Sequence, residues 1–147
     1  MVKFYRSTLP AYGRSMEGTF VVKADIPDES SLLYWDADYS KQPSRVKNAI
    51  SKLSKQYGVS IEGNKFLDYH RTTYKTAGHF YKSLGATLGS DKAASDALDS
   101  FGIPGLRYLD AGSRSMAPGN QTFNYVIWNV DRINIMSRHK RYVPKIY

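Results

Sequence analysis

The chain has 147 residues, of which 41% are hydrophobic, and this is the usual size and apolar content of one domain that buries a core. It contains no cysteine, so disulfides, thiolate metal sites and a cysteine nucleophile are excluded. Its 21 lysines and arginines against 13 acids give a net charge of +8, which favours encounters with acidic partners without identifying one.

The N-terminal part of the chain predicts no targeting segment and one clear strand. Met1–Arg6 lacks the apolar stretch of a signal peptide, and no run approaches the roughly 18 apolar residues of a membrane helix, so we expect a cytoplasmic protein. Gly18–Ile26 is β-branched and aromatic in its middle and is followed by Pro27, which predicts a strand. A short apolar stretch follows at Leu32–Trp35.

The first predicted helix begins at Pro43, extends to Tyr57 and ends at Gly58. No acidic residue interrupts positions 39–61, which indicates a basic helix surface. Such a run is typical of a solvated helix face, and the alternative is a surface for a partner. Its buried side is predicted from apolar residues at helical spacing, namely Val46, Ala49, Ile50, Leu53 and Tyr57. Four cations fall on another side, namely Lys41, Arg45, Lys52 and Lys55.

Two further helices are predicted after an irregular connection at 58–75. The first spans 76–88 and is broken by Gly89. The second spans 90–101, with a serine suited to cap its first turn, and stops at Gly102.

The remainder of the chain predicts β-structure. Strands are expected at 106–109, 122–129 and 132–138, with a polar loop at 111–121 and a basic, partly mobile tail from about residue 138. We expect 122–129 to be an inner strand of a mixed sheet with the three helices around it. The predicted fold class is therefore α+β, with small mixed or antiparallel sheets and about three helices in one domain that spans the whole chain.

Common catalytic and nucleotide-binding motifs are missing from the sequence. There is no Walker loop, no GxGxxG after a strand, no HExxH and no GxSxG, and no residue is assigned to a metal. The loop that contains Ser113 and Arg114 offers flexible amides, a hydroxyl and a guanidinium, and together with Arg107 it suits a pyrophosphate. The alternative is an ordinary polar hairpin loop.

The order of segments in the second half of the chain resembles a known family. Gly102–Asp110 (GIPGLRYLD), Gly112–Arg114 (GSR) and Asn124–Trp128 (NYVIW) follow a helix that begins with Ser90–Ser95 (SDKAAS). This order resembles the C-terminal half of ADP-ribosyltransferase-like domains in phage and prophage polyvalent proteins. Three upstream segments also look like that family's patterns, namely Asp25–Asp28 (DIPD), Leu33–Asp36 (LYWD) and Gln42–Pro43 (QP).

The resemblance implies a cofactor and a set of site residues. Members of the superfamily bind NAD in a cleft between two small sheets, holding it with a His and a Tyr on two early strands. A Glu at the start of a later strand stabilises the charged sugar in the transition state. The match begins after the two early strands, which are missing, and Asn124 stands where the Glu is expected. The resemblance therefore implies Asn124 at the catalytic position and Arg107, Ser113 and Arg114 around NAD.

Three functions follow as alternatives. The first is a catalytically impaired ADP-ribosyltransferase-like protein of a phage or mobile element, which binds a host macromolecule in the bacterial cytoplasm through its basic surface. The expected macromolecule is a host protein with an acidic surface or, alternatively, nucleic acid. The second is an active mono-ADP-ribosyltransferase that modifies a protein or nucleic acid, and the third is a fragment of a larger polyprotein. The predicted partner-binding residues are Lys41, Arg45, Lys52, Lys55, Arg138, Lys140 and Arg141.

Overall fold

The computed structural model describes residues 1–8, 18–62 and 75–142, with side chains described for residue 1 and for 22–62 and 75–137. The chain divides into two compact units. Met1–Pro27 together with Val130–Tyr147 form one, here called the sheet unit, and Asp28–Asn129 form the other, here called the helical unit. The organisation as one domain stays a prediction.

The sheet unit contains a three-stranded antiparallel sheet. Its strands are β1 (Val2–Thr8), β2 (Gly18–Asp25) and β6 (Asn134–Tyr142), and β2 lies in the middle. A register shift between Lys23 and Ala24 interrupts the ladder between β2 and β6. Because β2 pairs on both sides, the first and last described segments of the chain are held by one strand.

Two sequence predictions change in the sheet unit. β1 was not predicted, although its sequence VKFYRST contains the β-branched and aromatic residues that favour strands. The strand expected at 132–138 begins at Asn134 and continues to Tyr142, because its ladder with β2 extends to the pair Gly18–Tyr142. Arg138–Tyr142, expected in a partly mobile tail, therefore belong to a strand, and residues 143–147 lie outside the described residues.

The helical unit contains the three predicted helices. They are α1 (Ser44–Tyr57), α2 (Ala77–Leu88) and α3 (Asp91–Ser100), each within two residues of its predicted bounds. Gly58 and Gly89 stand just past α1 and α2 with positive φ angles of 68° and 101°, a conformation that glycine adopts without steric cost. The buried side of α1 is confirmed for Val46, Ala49, Ile50 and Leu53.

A second small sheet belongs to the helical unit. Its strands are β3 (Leu33–Tyr34), β4 (Gly105–Leu109) and β5 (Phe123–Ile127), with β3 parallel and β5 antiparallel to the central β4. The expectation of an inner strand at 122–129 is wrong, since β5 pairs only with β4 among the described residues. The chain turns from the ladder after Ile127, where the Trp128 amide donates to the Pro104 carbonyl at 3.0 Å.

One hydrophobic cluster joins the helices to one face of this second sheet. Phe80 of α2 is fully buried in it, together with Leu33 of β3 and Leu98 of α3. The predicted α+β fold class is confirmed at the level of three helices and two small mixed or antiparallel sheets. Within the described ranges, no helix combines the length and hydropathy needed to cross a bilayer.

Candidate functional site

A wide cavity lies in the helical unit beside β3, β4 and β5. Its volume is ≈ 1300 Å³, large enough for a drug-sized or larger ligand. Its lining combines aromatic rings with charges of both signs, so its composition alone does not select a ligand. The side chains that matter most are Tyr34, Trp35, Asp36, Asp38, Arg107 and Phe123.

Gln42 fixes the turn that follows β3, and the residues of this turn line the cavity. Its side chain is 4% exposed, and its Oε1 accepts from the Tyr34 amide at 2.8 Å. Its Nε2 donates to the carbonyls of Tyr34 and Ala37 at 2.8 and 3.0 Å. The buried amide therefore acts as a short strand partner for β3, and removing it would leave buried backbone groups without partners.

The start of α2 packs on the same turn. The amides of Ala77 and Gly78 donate to the carbonyls of Ala37 and Trp35 at 2.9 and 3.0 Å. The Trp35 ring lies against Gly78 so closely that a Cβ there would be 2.6 Å from its Cε2 atom. These first amides of α2 are consequently occupied by protein carbonyls, which removes them as donors for an anion.

Arg107 occupies the centre of the sheet face that borders the cavity. Its guanidinium carbon lies 3.5 Å from the ring centroid of Tyr34 and 4.0 Å from that of Phe123. The ladder produces this arrangement, because Tyr34 is the register partner of Arg107 on β3 and Phe123 lies diagonally across on β5. The two rings hold the guanidinium through cation–π contacts.

Glu29 and Tyr125 complete a polar cluster around Arg107. Glu29 Oε2 lies 3.5 Å from Arg107 Nη1, and its Oε1 accepts a short hydrogen bond from the Tyr125 hydroxyl. Burial, and then the hydrogen bond to Glu29, raise the pKa of the Tyr125 hydroxyl well above its ordinary value. The Nε atom of Arg107 is buried and has no hydrogen-bond partner in the described part of the chain.

The four predicted NAD and catalytic residues do not meet in one place. Arg107 borders the cavity, whereas Asn124 alternates with the inward Phe123 and Tyr125 and so belongs to the opposite face of β5. Arg114 is exposed and is not among the cavity-lining residues. As a set, these residues do not fit one bound dinucleotide in this geometry.

Ser113 has a structural role inside the polar loop. It is 3% exposed, its Oγ accepts from the Thr122 amide at 2.9 Å, and it lies 2.7 Å from the Thr122 hydroxyl. The Asp110 amide donates to the Thr122 carbonyl at 3.0 Å and closes the loop. These polar groups are used within the hairpin, as the alternative interpretation of an ordinary polar loop expects.

Sequence reasoning missed Glu29, Tyr34 and Gln42 as site-building residues. Glu29 and Tyr125 are 96 positions apart, so no local spacing predicts their hydrogen bond. The sequence showed Tyr34 only as part of an apolar stretch. Its position beside Arg107 follows from the pairing of β3 with β4, which the sequence does not show. The one local signal was Gln42, a polar residue directly before the proline that begins α1.

The basic surface of α1 is the second candidate site. Four cations are exposed there, Arg45, Lys52 and Lys55 on α1 and Lys41 in the short 3-10 turn just before it, and none of them has a carboxylate within ion-pair distance among the described residues. Lysines elsewhere in the unit differ, because Lys75 pairs with Glu62 at 2.6 Å, Lys82 with Asp91 at 2.8 Å and Lys92 with Asp96 at 2.7 Å. The α1 charges therefore remain available to an external anion.

The other predicted partner-binding residues belong to β6. Arg138, Lys140 and Arg141 stand opposite Val22, Phe20 and Thr19 of β2 in the ladder.

Comparison of the chain with protein-family models, with curated proteins and with solved structures finds no match. The family resemblance therefore remains an expectation from the sequence.

Proposed function

We propose that this chain is a binding protein that uses the exposed face of α1 to dock an acidic surface of a host protein. The supporting observation is the set of four cations, Lys41, Arg45, Lys52 and Lys55, which are exposed and without ion-pair partners in the described ranges. Its scaffold is proposed to be an ADP-ribosyltransferase-like domain of a phage or mobile element, acting in the host cytoplasm.

Two physical features support this use of α1. The opposite side of the helix is anchored by Val46, Ile50 and Leu53, which are at most 1% exposed, so the cations project from a rigid element. The exposed face has no aromatic or large apolar residue, and lysine ammonium groups act there as flexible point charges. Such a surface speeds encounter with a negatively charged partner and loses affinity as salt rises.

The test measures binding of fluorescently labelled poly-L-glutamate to the full chain over a range of salt concentrations. The α1 triple variant is Arg45→Gln, Lys52→Gln and Lys55→Gln. Because exposed ion pairs contribute roughly 0.2–1 kcal/mol each, the loss of three should weaken binding roughly 3- to 150-fold relative to the wild type. It should also show a shallower dependence on salt.

The matched control removes the same charge from lysines that already have partners. The paired-lysine variant is Lys75→Gln, Lys82→Gln and Lys92→Gln, and like the α1 triple variant it lowers the net charge from +8 to +5. If both variants lose affinity equally, net charge alone explains binding and the α1 surface is rejected. Circular dichroism of both variants verifies that the fold is retained.

The second candidate function is an NAD-dependent ADP-ribosyltransferase. It is favoured by one observation, namely that Arg107, predicted to contact the pyrophosphate, borders a cavity of ≈ 1300 Å³. The separation of Arg107 from Asn124 by the sheet and the internal use of Ser113 argue against a complete site.

Calorimetric titration of NAD against the full chain tests the second candidate. If the cavity binds NAD, Arg107→Ala should weaken binding by about 1.5–3 kcal/mol, the range for a hydrogen bond to a charged group. Arg114→Ala should weaken it equally only if the four sequence-predicted residues act together. A flat titration of the folded wild type would remove NAD as the ligand.

A further inference from the structure

The positive charge of the protein is unevenly distributed between its two units. The sheet unit has nine lysines and arginines against three acids, a net charge of +6, whereas the helical unit has twelve against ten, a net charge of +2. Most of the excess charge thus belongs to the smaller unit. The carboxylate of Asp25, one of its three acids, is already bonded to the Met1 amine at 3.0 Å.

The sheet topology concentrates these cations on few strands. Among the described strands β6 pairs only with the central β2, and because strand residues alternate between the two faces of a sheet, Arg138 and Lys140 share one face while Arg141 belongs to the other. On the other side of β2, β1 adds Lys3, the register partner of Ala24, to the face of Arg138 and Lys140, and Arg6, the register partner of Val21, to the face of Arg141. Neighbouring strands lie about 4.8 Å apart, so the whole array is only about 10 Å wide.

The residues of the sheet differ in chemistry from those on the exposed face of α1. Five of the nine cations in the sheet unit are arginines, whose planar fork matches phosphate. The strands also contain four aromatic residues, and Phe20 is the register partner of Lys140. Large apolar side chains are exposed on β6 as well, since Ile135 and Met136 are 49% and 52% exposed.

We infer that the sheet unit binds single-stranded nucleic acid on the sheet face shared by Arg138, Lys140 and Phe20, with these two cations on the phosphates and unpaired bases on the apolar and aromatic residues of that face. Proteins that bind single strands without sequence preference combine a basic surface with aromatic groups on which bases stack. In a duplex the base faces are stacked on one another, so a duplex would contact only the cations of the sheet and not its aromatic residues. The +6 charge of the unit disfavours association with a second copy of itself.

The experiment follows fluorescence anisotropy of a labelled twenty-nucleotide oligothymidylate as the full chain is added at several salt concentrations. The β6 triple variant is Arg138→Gln, Lys140→Gln and Arg141→Gln. Each phosphate contact to a single strand contributes about 0.7 to the slope of log K against log salt, so removal of the two cations on the shared face should lower the slope by about 1.4 and the affinity by at least about tenfold. A variant with Arg138→Lys and Arg141→Lys should retain most of the slope.

The controls separate this inference from the proposed function. The paired-lysine and α1 triple variants, each also at a net charge of +5, should bind the oligonucleotide nearly as the wild type does. The inference is overturned if the wild type does not bind, if the β6 triple variant binds like the paired-lysine variant, or if duplex or poly-L-glutamate competes as well as the single strand. Loss of oligonucleotide binding in the α1 triple variant alone would also overturn it and assign nucleic acid to α1.

Discussion

The sheet unit and the helical unit divide charge and apolar packing between them. The helical unit contains the hydrophobic cluster and the cavity, with a net charge of only +2. The sheet unit has a net charge of +6 and contains three large hydrophobic residues that are about half exposed or more, Val130, Ile135 and Met136. The difference teaches that the net charge of the whole chain describes neither unit, and that binding surfaces must be sought unit by unit.

The largest expected effect comes from emptying the core of the helical unit. Phe80 is fully buried, so Phe80→Ala should lower the free energy of unfolding by about 3–5 kcal/mol through lost burial and the cavity left behind. Val130 of the sheet unit is 74% exposed, and Val130→Ala should change stability by less than about 0.5 kcal/mol. Urea unfolding measures both, and similar losses would contradict the division of packing between the units.

A smaller loss is expected where α2 meets the turn after β3. Gly78→Ala places a Cβ 2.6 Å from the Trp35 ring, and overpacking of this kind typically costs about 1–3 kcal/mol. Gly112 has no atom within 4 Å of the same added Cβ and no positive φ angle, so Gly112→Ala is the matched control and should be tolerated. Equal thermal midpoints for the two variants would show that the Trp35 contact is not tight.

The polar loop offers a test of structural against ligand-binding roles. Ser113→Ala removes the acceptor of the Thr122 amide and should destabilise the fold by about 1–2 kcal/mol, the cost of leaving one buried donor unpaired. The exposed neighbour Arg114 should accept alanine with a change below about 0.5 kcal/mol. An unchanged unfolding midpoint for Ser113→Ala would show that Ser113 has no structural role in the loop and that its hydroxyl is available to a ligand.

The smallest effect concerns the alkaline limit of stability. The folded protein raises the pKa of the Tyr125 hydroxyl, so the unfolded chain ionises first as pH rises. The stability that the Tyr125 hydroxyl contributes is therefore fully present below its unfolded pKa near 10, and it is lost as the pH rises above that value. The stability difference between wild type and Tyr125→Phe, about 0.5–1.5 kcal/mol at pH 8 for one hydrogen bond, should shrink as the pH rises above about 10 toward the raised pKa of the folded hydroxyl, as measured by urea unfolding. A constant difference would disprove the hydrogen bond with Glu29.

Local chemistry made the helices predictable from the sequence. Pro43 and Gly58 bound α1, and Ser90 caps α3 by accepting from the Ala93 amide at 3.0 Å. Each of these signals acts within one turn of chain, so no tertiary information is needed. The α+β class followed from the order of such elements.

Long-range pairing limited the prediction of the sheets and of the site. Among the described residues β5 pairs with β4 alone, and this position depends on the arrangement of the other strands, whereas the sequence of β5 alone favours an inner strand. The same holds for the Arg107 cluster, because Tyr34 and Glu29 reach it from more than 70 positions away. Because successive residues of a strand belong to opposite faces of the sheet, Asn124 and Arg107 lie on different faces. The order of the motifs along the sequence does not reveal this, since it depends on the register between β4 and β5.

Release of nicotinamide from labelled NAD tests most directly the claim that this protein binds rather than catalyses. Losing one preorganised electrostatic contact typically costs about 10²–10³ in rate, and the resemblance expected from the sequence puts the uncharged Asn124 at the position of a carboxylate, on the face of β5 opposite Arg107. We expect that the full chain, with or without poly-L-glutamate or oligothymidylate, releases nicotinamide no faster than buffer. Robust release that Asn124→Ala abolishes would contradict it and identify an active transferase.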